Sequence, residues 1–278
     1  MKYSVVIPAY NVAPYISQCL ESVLLAAKTS IREDVEIVVI DDCSTDETSN
    51  IIARFSEVAK IPFKSLKHNI NRGLAASRNT GVANASGEYV LLLDADNLVH
   101  EQVFAYMDKQ MKCSPDVDVF ILGMELIDDQ GRNIGHFYRD RVNVDVGPNA
   151  TQKSVLLLQQ NFMDSFSLAR KSVLANNPYD EHLRSLEDWD LWIRLLWIRN
   201  SKFKFVAEQL GSYRIRENSL TQDLTRNTVS YCAAVLPIYC KIILNSELMQ
   251  LPGPYRAQIT NHIRQLCLAI VSQDGISY

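Results

Sequence analysis

Short apolar runs alternate with segments of helical apolar spacing along the first 125 of the 278 residues. The runs typical of strands occupy residues 4–7, 35–40, 63–66, 88–93 and 117–122. The segments with a helical pattern are residues 14–27, 44–58, 74–85 and 103–111. In the second of these, Ser44-Thr45-Asp46-Glu47 matches a capping box that would open the helix. Strands that alternate with helices in this way predict an α/β fold with a mainly parallel central sheet flanked by helices.

The second half of the chain has a less regular pattern. Its predicted elements are a hairpin over residues 125–138, a helix over 151–160, a strand over 166–170 and an amphipathic helix over 186–200. After Tyr213 the pattern indicates helices up to the last residue. We therefore predict a main α/β region over residues 1–222 and a helical C-terminal extension over residues 223–278.

The composition excludes several classes of protein. Lys and Arg total 28 against 32 Asp and Glu, a formal charge of −4, so a nucleic acid partner is not expected. No apolar run approaches the roughly 18–20 residues that span a bilayer. The six cysteines form no C-x-x-C pair, which argues against a zinc knuckle or a redox pair. The chain is predicted to be a reduced, cytoplasmic protein.

Several catalytic motifs fail in this sequence. It contains no G-x-G-x-x-G after the first strand, no G-x-x-x-x-G-K-[ST] and no G-x-S-x-G. The dinucleotide-binding fingerprint, the P-loop and the nucleophile elbow are therefore all excluded. His100-Glu101 begins like the metalloprotease motif H-E-x-x-H, but Phe104 occupies the final position.

Carboxylates follow two of the predicted strands. Asp41 and Asp42 end the second strand, whereas Asp94 and Asp96 lie in the loop after the fourth. In open parallel sheets the ligand site lies beyond the carboxyl ends of the strands. Four acids at this edge would repel one another unless a cation or a donor-rich ligand lay between them. A hard divalent cation that also binds diphosphate oxygens fits that requirement, whereas a polar turn without metal is the alternative.

Five motifs in unbroken order identify a resemblance to a known family. They are VVIPAYN (5–11), VVIDDCSTD (38–46), NRGLAASRNTG (71–81), GEYVLLLDAD (87–96) and LEDWDLWIR (186–194). This series strongly resembles family 2 glycosyltransferases with the GT-A fold, over about the first 220 residues. The resemblance implies a nucleotide-binding half over residues 1–98 and an acceptor half over residues 99–222.

The resemblance also implies roles for individual residues. Pro8 and Tyr10 match positions that line the nucleotide base, and Asp42 resembles the residue that accepts the uracil N3–H. Arg78 matches a basic residue near the nucleotide, and Asp94 resembles the acid that approaches the ribose or donor sugar. The remaining two are Asp96, which resembles the ligand of Mn²⁺ or Mg²⁺, and Asp188, which matches the catalytic base.

Each of these residues also has a plain structural explanation. Asp42 could cap the helix that starts near Thr45, and Tyr10 could be a buried aromatic at a strand end. Arg78, like Arg72, could simply pair with the acids. Asp188 lies in a first helical turn, where acids favour the helix dipole whatever their function. Trp189 and Trp192 are spaced for core packing.

One position departs from the family pattern. Many relatives carry Y-R-x-H-x-x-S near the end of the catalytic region, and its His can assist at the metal or phosphate. Here Arg216 occupies the His position in the stretch 213–219. Arg cannot ligate a metal but can bind phosphate, which puts ligation of the His type in doubt. His182 could be a local substitute, and a role on the surface is the favoured alternative.

The predicted function is metal-assisted, inverting transfer of a sugar from a nucleotide donor, most often UDP-linked in this family. The acceptor would be a saccharide or lipid-linked hydroxyl in polysaccharide or glycoconjugate synthesis. The alternatives are a catalytically silent nucleotide-sugar-binding module and a sugar nucleotidyltransferase. The C-terminal helices are expected to pack on protein, either the catalytic region or a second copy in a homodimer. Peripheral contact with the inner face of the membrane is the alternative for these helices.

Overall fold

The computed structural model describes residues 2–137, 166–197, 199–216 and 228–244, with eight further residues between 257 and 268. Its strands are β1 (Tyr3–Ala9), β2 (Val35–Asp41), β3 (Phe63–Lys67), β4 (Tyr89–Leu92), β5 (Leu98–Val99), β6 (Val119–Ile127), β7 (Asn133–Phe137), β8 (Ser167–Arg170) and β9 (Phe203–Arg214). Its helices are α1 (Ile16–Thr29), α2 (Thr48–Val58), α3 (Leu74–Asn84), α4 (Val103–Cys113), α5 (Lys171–Ala175), α6 (Glu187–Trp197) and α7 (Thr228–Leu244).

The strands form a single mixed sheet in the order β3-β2-β1-β4-β8-β6-β9-β5, with β7 paired to β6. Its first half is parallel, because β1 pairs in the same direction with both β2 and β4, and β2 does so with β3. Antiparallel pairing enters at β8, which lies between β4 and β6. The predicted α/β fold is confirmed, with its parallel part confined mainly to the first four strands.

Helices cover both faces of the sheet, and each face has its own apolar core. One core contains α1 and α4 side chains such as Leu20, Val23 and Phe104 against alternate residues of the strands. The other contains side chains of α3, α6 and α7, including Trp192. β1 and β2 are buried along their whole length, as expected for strands covered on both sides.

The start of α2 corrects one sequence prediction. The helix begins at Thr48 rather than at the predicted capping box, and the Thr48 N–H donates to the Asp46 carboxylate at 3.0 Å. Ser44 is held outside the helix, since its N–H donates to Asp41 Oδ1 at 2.9 Å. The Asp41 carboxylate thus takes up the Ser44 N–H, and residues 44–47 belong to the loop that follows β2.

Two strands of the sheet, β9 and β5, were not predicted. β9 is twelve residues long and pairs with β6 in parallel, whereas β5 is a two-residue strand that pairs antiparallel with β9. The predicted hairpin is present as β6 and β7, and the predicted strand over 166–170 is present as β8. The predicted helix over 151–160 lies outside the described residues.

The helix α7 packs on the main α/β region. Val235, Ile238 and Tyr239 are buried in the same core as Trp189, and the Tyr239 ring meets the Trp189 ring edge-on at 5.7 Å. Lys241 adds ion pairs to Asp180 and, at 3.1 Å, to Asp190. Packing on protein is therefore observed for α7, whereas the boundary at residues 222/223 stays a prediction. Within the described parts of the chain, no helix combines the length and the apolar character that a bilayer crossing requires.

Candidate functional site

Loops from three parallel strands meet at one edge of the sheet. Tyr10 follows β1, Asp42 follows β2, and the segment from Asp94 to Asn97 follows β4. β1 lies between β2 and β4, so these loops are neighbours by topology. The start of α6 reaches the same place, because Arg78 contacts both Glu187 of α6 and Asp94 of the β4 loop.

The β1 end combines a buried and an exposed predicted residue. Pro8 lies within β1, in register with Ile40 of β2, and is buried. The Tyr10 side chain is 46% exposed, so it is not the buried core aromatic that was its structural alternative. Its ring remains accessible beside the loop that carries Asp42. That Pro8 and Tyr10 line a nucleotide base stays a prediction.

The Asp42 carboxylate organises the loop before α3. It is buried and accepts hydrogen bonds from the Arg72 N–H at 2.9 Å and the Gly73 N–H at 2.7 Å. His68 Nδ1 lies 2.6 Å from Asp42 Oδ1. Asp42 therefore does not cap the helix near Thr45. Its role toward a uracil ring stays a prediction, since three protein groups already contact the carboxylate.

Arg78 joins the β4 loop to the start of α6. Its Nη2 donates to Asp94 Oδ1 at 2.8 Å and its Nη1 donates to Glu187, while the residue is only 2% exposed. Burial would lower the pKa of this guanidinium, but the Asp94 and Glu187 carboxylates raise it well above its ordinary value. The structural alternative for Arg78, pairing with the acids, is observed. Direct nucleotide contact by Arg78 stays a prediction that this burial does not favour.

Two arginines of β9 and the segment after it hold Asp96. Arg216 Nη2 lies 2.6 Å from Asp96 Oδ2, and Arg214 Nε donates to the Asp96 carbonyl oxygen at 2.9 Å. Burial raises the pKa of the Asp96 carboxyl, Arg216 opposes the rise and Asp94 adds to it. Arg216 stood out in the sequence as a departure from the family pattern, whereas no role was predicted for Arg214. The R of Y-R-x-H-x-x-S was the available signal.

Arg214 joins the β4 loop to the β6–β7 turn and to helix α1. It is 1% exposed and donates to Gln18 of α1 and to the carbonyl oxygens of Asp128 and Asp129 in the β6–β7 turn. Both Arg214 and Arg216 lie over the ring of Tyr15, at 5.0 and 5.3 Å from its centroid. The Tyr15 ring therefore helps to hold both guanidinium groups beside Asp96.

Asp188 directly follows Glu187, the α6 partner of Arg78. It is half-buried in the first turn of α6, and its Oδ1 accepts the Trp189 N–H at 2.7 Å. Its neighbours Glu187 and Asp190 are buried and paired, Asp190 with Arg194 at 2.8 Å. Asp188 is the acid of this turn that is left partly open to solvent. The base role stays a prediction, and Trp189 and Trp192 are core residues as expected.

Backbone strain gathers in the same loops. Among the described residues, five non-glycine residues have positive φ, and three of them adjoin the candidate site: Asn11 (50°), Cys43 (65°) and Leu186 (59°). Leu186 precedes Glu187 and Asp188 directly. A branched side chain rarely adopts this conformation, which costs roughly 1–3 kcal/mol and persists where surrounding structure enforces it.

The other two D-x-D pairs have separate explanations. Asp116 pairs with Lys202 at 2.5 Å and Asp118 accepts the Lys202 N–H at 2.9 Å, at the amino-terminal end of β6. The third pair, Asp188 and Asp190, lies in the first turn of α6, where Asp190 pairs with Arg194. His182 is exposed, in agreement with a surface position. Only Asp94 and Asp96 lie at the carboxyl end of a parallel strand.

The fit of these residues to a divalent cation can be tested on their contacts. Repulsion among four acids at one edge, together with the resemblance of Asp96 to a metal ligand, favoured a cation. Each acid has partners in the chain: Asp41 with Lys67, Asp42 with backbone N–H groups, Asp94 with Arg78 and Asp96 with Arg216. In the described ranges no group of three His, Cys, Asp or Glu could hold a metal ion. Arg216 also offers no lone pair for ligation. As placed, Asp96 is engaged by Arg216, and the described residues by themselves do not form a site for Mn²⁺ or Mg²⁺.

Comparison with known proteins decides the family. The model of "Glycosyl transferase family 2" matches residues 4–176, which include β1 to β8 and the loops that carry Tyr10, Asp42, Arg78, Asp94 and Asp96. The chain belongs to glycosyl transferase family 2. The resemblance predicted from its motifs is thereby confirmed.

Curated relatives carry the same class name. Poly(ribitol-phosphate) beta-N-acetylglucosaminyltransferase TarS of Staphylococcus aureus is 28% identical over 68% of this chain, which covers 31% of TarS. Glycosyltransferase GlyG of Streptococcus pneumoniae is 26% identical over 86% of this chain and 79% of its own length. This chain therefore spans less than a third of the first of these relatives.

Solved structures confirm the GT-A fold. S. aureus TarS 1–349 in complex with UDP-GlcNAc superposes with a TM-score of 0.71 at 21% identity, over 97% of this chain and 73% of that one. The mannosyltransferase PcManGT from Pyrobaculum calidifontis, in complex with GDP-Man and Mn²⁺, superposes with a TM-score of 0.67 at 17% identity, over 100% of this chain and 76% of that one. At these identities the likeness concerns the fold.

Proposed function

We propose that this glycosyltransferase moves a sugar, with inversion, from a UDP-linked donor to a hydroxyl acceptor in polysaccharide or glycoconjugate synthesis. The observation that carries the proposal is the Arg78 bridge, which brings the predicted donor acid Asp94 and the turn of the predicted base Asp188 to one sheet edge. Binding of UDP and UDP-GlcNAc by structural neighbours supports the choice of donor.

The chemistry assigned to the chain is a single displacement. The acceptor oxygen forms a bond to the sugar C1 while the bond from C1 to the phosphate oxygen breaks, and that electron pair leaves with the nucleoside diphosphate. Asp188 takes the proton of the acceptor hydroxyl, which is general base catalysis typically worth about 10²–10⁴-fold. Asp42, Pro8 and Tyr10 would bind the nucleoside, and Asp94 the ribose or donor sugar.

The predicted Mn²⁺ or Mg²⁺ is not a part of this mechanism. Asp96, its predicted ligand, is paired with Arg216 at 2.6 Å, so we derive no step through a metal. The cytoplasmic location, contact with a membrane face, a homodimer and the acceptor class stay predictions.

Product analysis tests the proposal. The protein is incubated separately with UDP-GlcNAc, UDP-glucose and GDP-mannose, with and without a saccharide acceptor panel, and nucleotide products are separated by ion-exchange chromatography. We expect free nucleoside diphosphate from one donor and, by NMR, a product of inverted anomeric configuration. Pyrophosphate together with a sugar phosphate would instead identify a nucleotidyltransferase. Donor binding without turnover on every acceptor would identify a silent binding module.

A further inference from the structure

Three guanidinium groups contact the D-x-D loop, and they differ in what a ligand can reach. Arg78 and Arg214 are 2% and 1% exposed, and their contacts run to other protein groups on several sides. The side chain of Arg216 is 26% exposed, and its recorded ion pair uses one Nη. A diphosphate approaching Asp94 and Asp96 could therefore reach Arg216 but not the other two.

The charge at this loop requires a cation near an incoming diphosphate. Asp94 and Asp96 are both acidic, and a phosphate group that approaches them unaided would be repelled. Arg78 is already shared between Asp94 and Glu187, so Arg216 is the most exposed of the guanidinium groups that contact the loop. A planar guanidinium can bind two phosphate oxygens at once and carries its charge at every physiological pH.

The position of Arg216 is prepared by its surroundings. Its guanidinium carbon lies 5.3 Å from the centre of the Tyr15 ring, on which Arg214 also lies. The Tyr15 hydroxyl donates to Asp129 Oδ1 at 3.1 Å, which fixes the ring. Arg216 Nε is buried and has no acceptor among the described residues, so the side chain retains donor capacity that the Asp96 pair does not use.

We propose that Arg216 binds the diphosphate of the nucleotide donor directly and supplies there the positive charge that a divalent cation would otherwise supply. Asp96 then positions Arg216 instead of ligating a metal. As the bond from C1 to the phosphate oxygen breaks, the charge that develops on the leaving diphosphate is met by a fixed guanidinium. The inference rests on the proposed function, because it concerns the donor of that same reaction.

Calorimetric titration tests this inference without turnover. UDP and uridine are titrated into the wild-type protein, into Arg216→Gln and into Arg54→Gln, an exposed arginine of α2 that serves as the matched control. Each titration is run in EDTA and again in Mn²⁺. We expect wild-type UDP affinity in EDTA to lie within a few-fold of that in Mn²⁺. Arg216→Gln should weaken UDP binding about ten- to a hundredfold, as expected for loss of hydrogen bonds to a charged group.

Uridine separates a phosphate contact from a structural effect. Because uridine has no diphosphate, its affinity should be the same for Arg216→Gln and the wild type, which also reports that the variant is folded. A second variant, Asp96→Asn, keeps an oxygen acceptor for Arg216 and should retain UDP binding in EDTA. Loss of UDP binding by Asp96→Asn in Mn²⁺ would indicate a metal ligand and contradict the inference.

The outcomes distinguish this inference from the function on which it rests. UDP binding that requires Mn²⁺, or that is unchanged in Arg216→Gln, would overturn the role of Arg216 while leaving a nucleotide-sugar transferase in place. If neither UDP, GDP nor dTDP binds under any condition, the proposed function fails and the inference fails with it.

Discussion

Asp188 combines partial exposure with a fixed place in the first turn of α6, between two buried acids that are already paired. We expect Asp188→Asn to lower the rate of transfer by about 10²–10⁴-fold, because the amide cannot accept the acceptor proton. UDP affinity should not change. Steady-state release of UDP and titration of UDP check the two halves of this prediction.

Asp116→Asn is the matched control for that experiment. Asp116 also belongs to a D-x-D pair, but it is exposed just before the amino-terminal end of β6, where it contacts Lys202. Its replacement should leave transfer unchanged. A comparable loss of activity in both variants would contradict the base role of Asp188.

Arg78 should be required for stability as well as for activity. Its removal leaves Asp94 and Glu187 without their shared partner, and an uncompensated buried charge costs roughly 3–5 kcal/mol. We therefore expect Arg78→Met to lower the free energy of unfolding by about that amount, measured in urea. The double variant Arg78→Met/Glu187→Gln should recover part of the loss. If the double variant recovers none of the lost free energy of unfolding, the ion pair with Glu187 is not the source of the stability that Arg78 provides.

For single residues, the sequence predicted which acids lie at the sheet edge better than it predicted the side chains with which they pair. Asp42, Asp94 and Asp96 lie at the predicted sheet edge, because strand ends can be found from apolar runs. The partner of each acid could not be predicted. The pairs of Asp94 with Arg78 and Asp96 with Arg216 depend on side-chain directions that the fold sets, and these arginines supply part of the positive charge for which a cation was predicted.

Elements of the parallel half were predictable because each buried strand is a continuous apolar run. β9 lacked such a run: its segment FKFVAEQLGSYR alternates buried and exposed positions only in part, and Glu208 and Gln209 interrupt it. The start of α2 was misplaced because Asp41 accepts the Ser44 N–H that Glu47 would have bound in the capping box, and Asn11 accepts the neighbouring Thr45 N–H. In both cases tertiary contacts override a local pattern.

The helix α7 provides a test at the scale of an element. Tyr239 is 2% exposed and packs against Trp189, so Tyr239→Ala should lower the free energy of unfolding by about 3 kcal/mol, as for other buried aromatics. Urea unfolding followed by tryptophan fluorescence measures this change. Leu244→Ala, at an 83% exposed position of the same helix, should change stability by less than about 0.5 kcal/mol. Equal effects of the two variants would contradict packing of α7 on the α/β region.

The whole molecule should lose stability in acid. Burial raises the pKa of Asp108, but hydrogen bonds from Lys2, Tyr3 and Arg32 outweigh it and lower the pKa; Glu36 and Asp41 are lowered in the same way by their own partners. A carboxyl with a lowered folded pKa stabilises the protein above its unfolded pKa of about 4 and ceases to do so as pH falls toward the folded value. Asp96 acts in the opposite sense, because its pKa is raised.

We therefore expect the free energy of unfolding to fall as the pH is lowered from about 5 to about 3. Urea titrations at a series of pH values measure the slope. Asp108→Asn should make the slope shallower, since it removes one of the groups with a lowered pKa. A stability that rises in this range would show that Asp96 and other raised groups dominate.

The antiparallel strand β8 has a consequence for how such an enzyme can respond to its substrates. It hydrogen-bonds to β4 on one side and to β6 on the other, so a single ladder runs from the predicted donor half into the predicted acceptor half. Hinged closure needs a short linker whose backbone angles can change, and a continuous ladder offers none. Selectivity for the sugar and its acceptor must then arise from the loops at the edge of this continuous sheet and not from the closing of one half on the other.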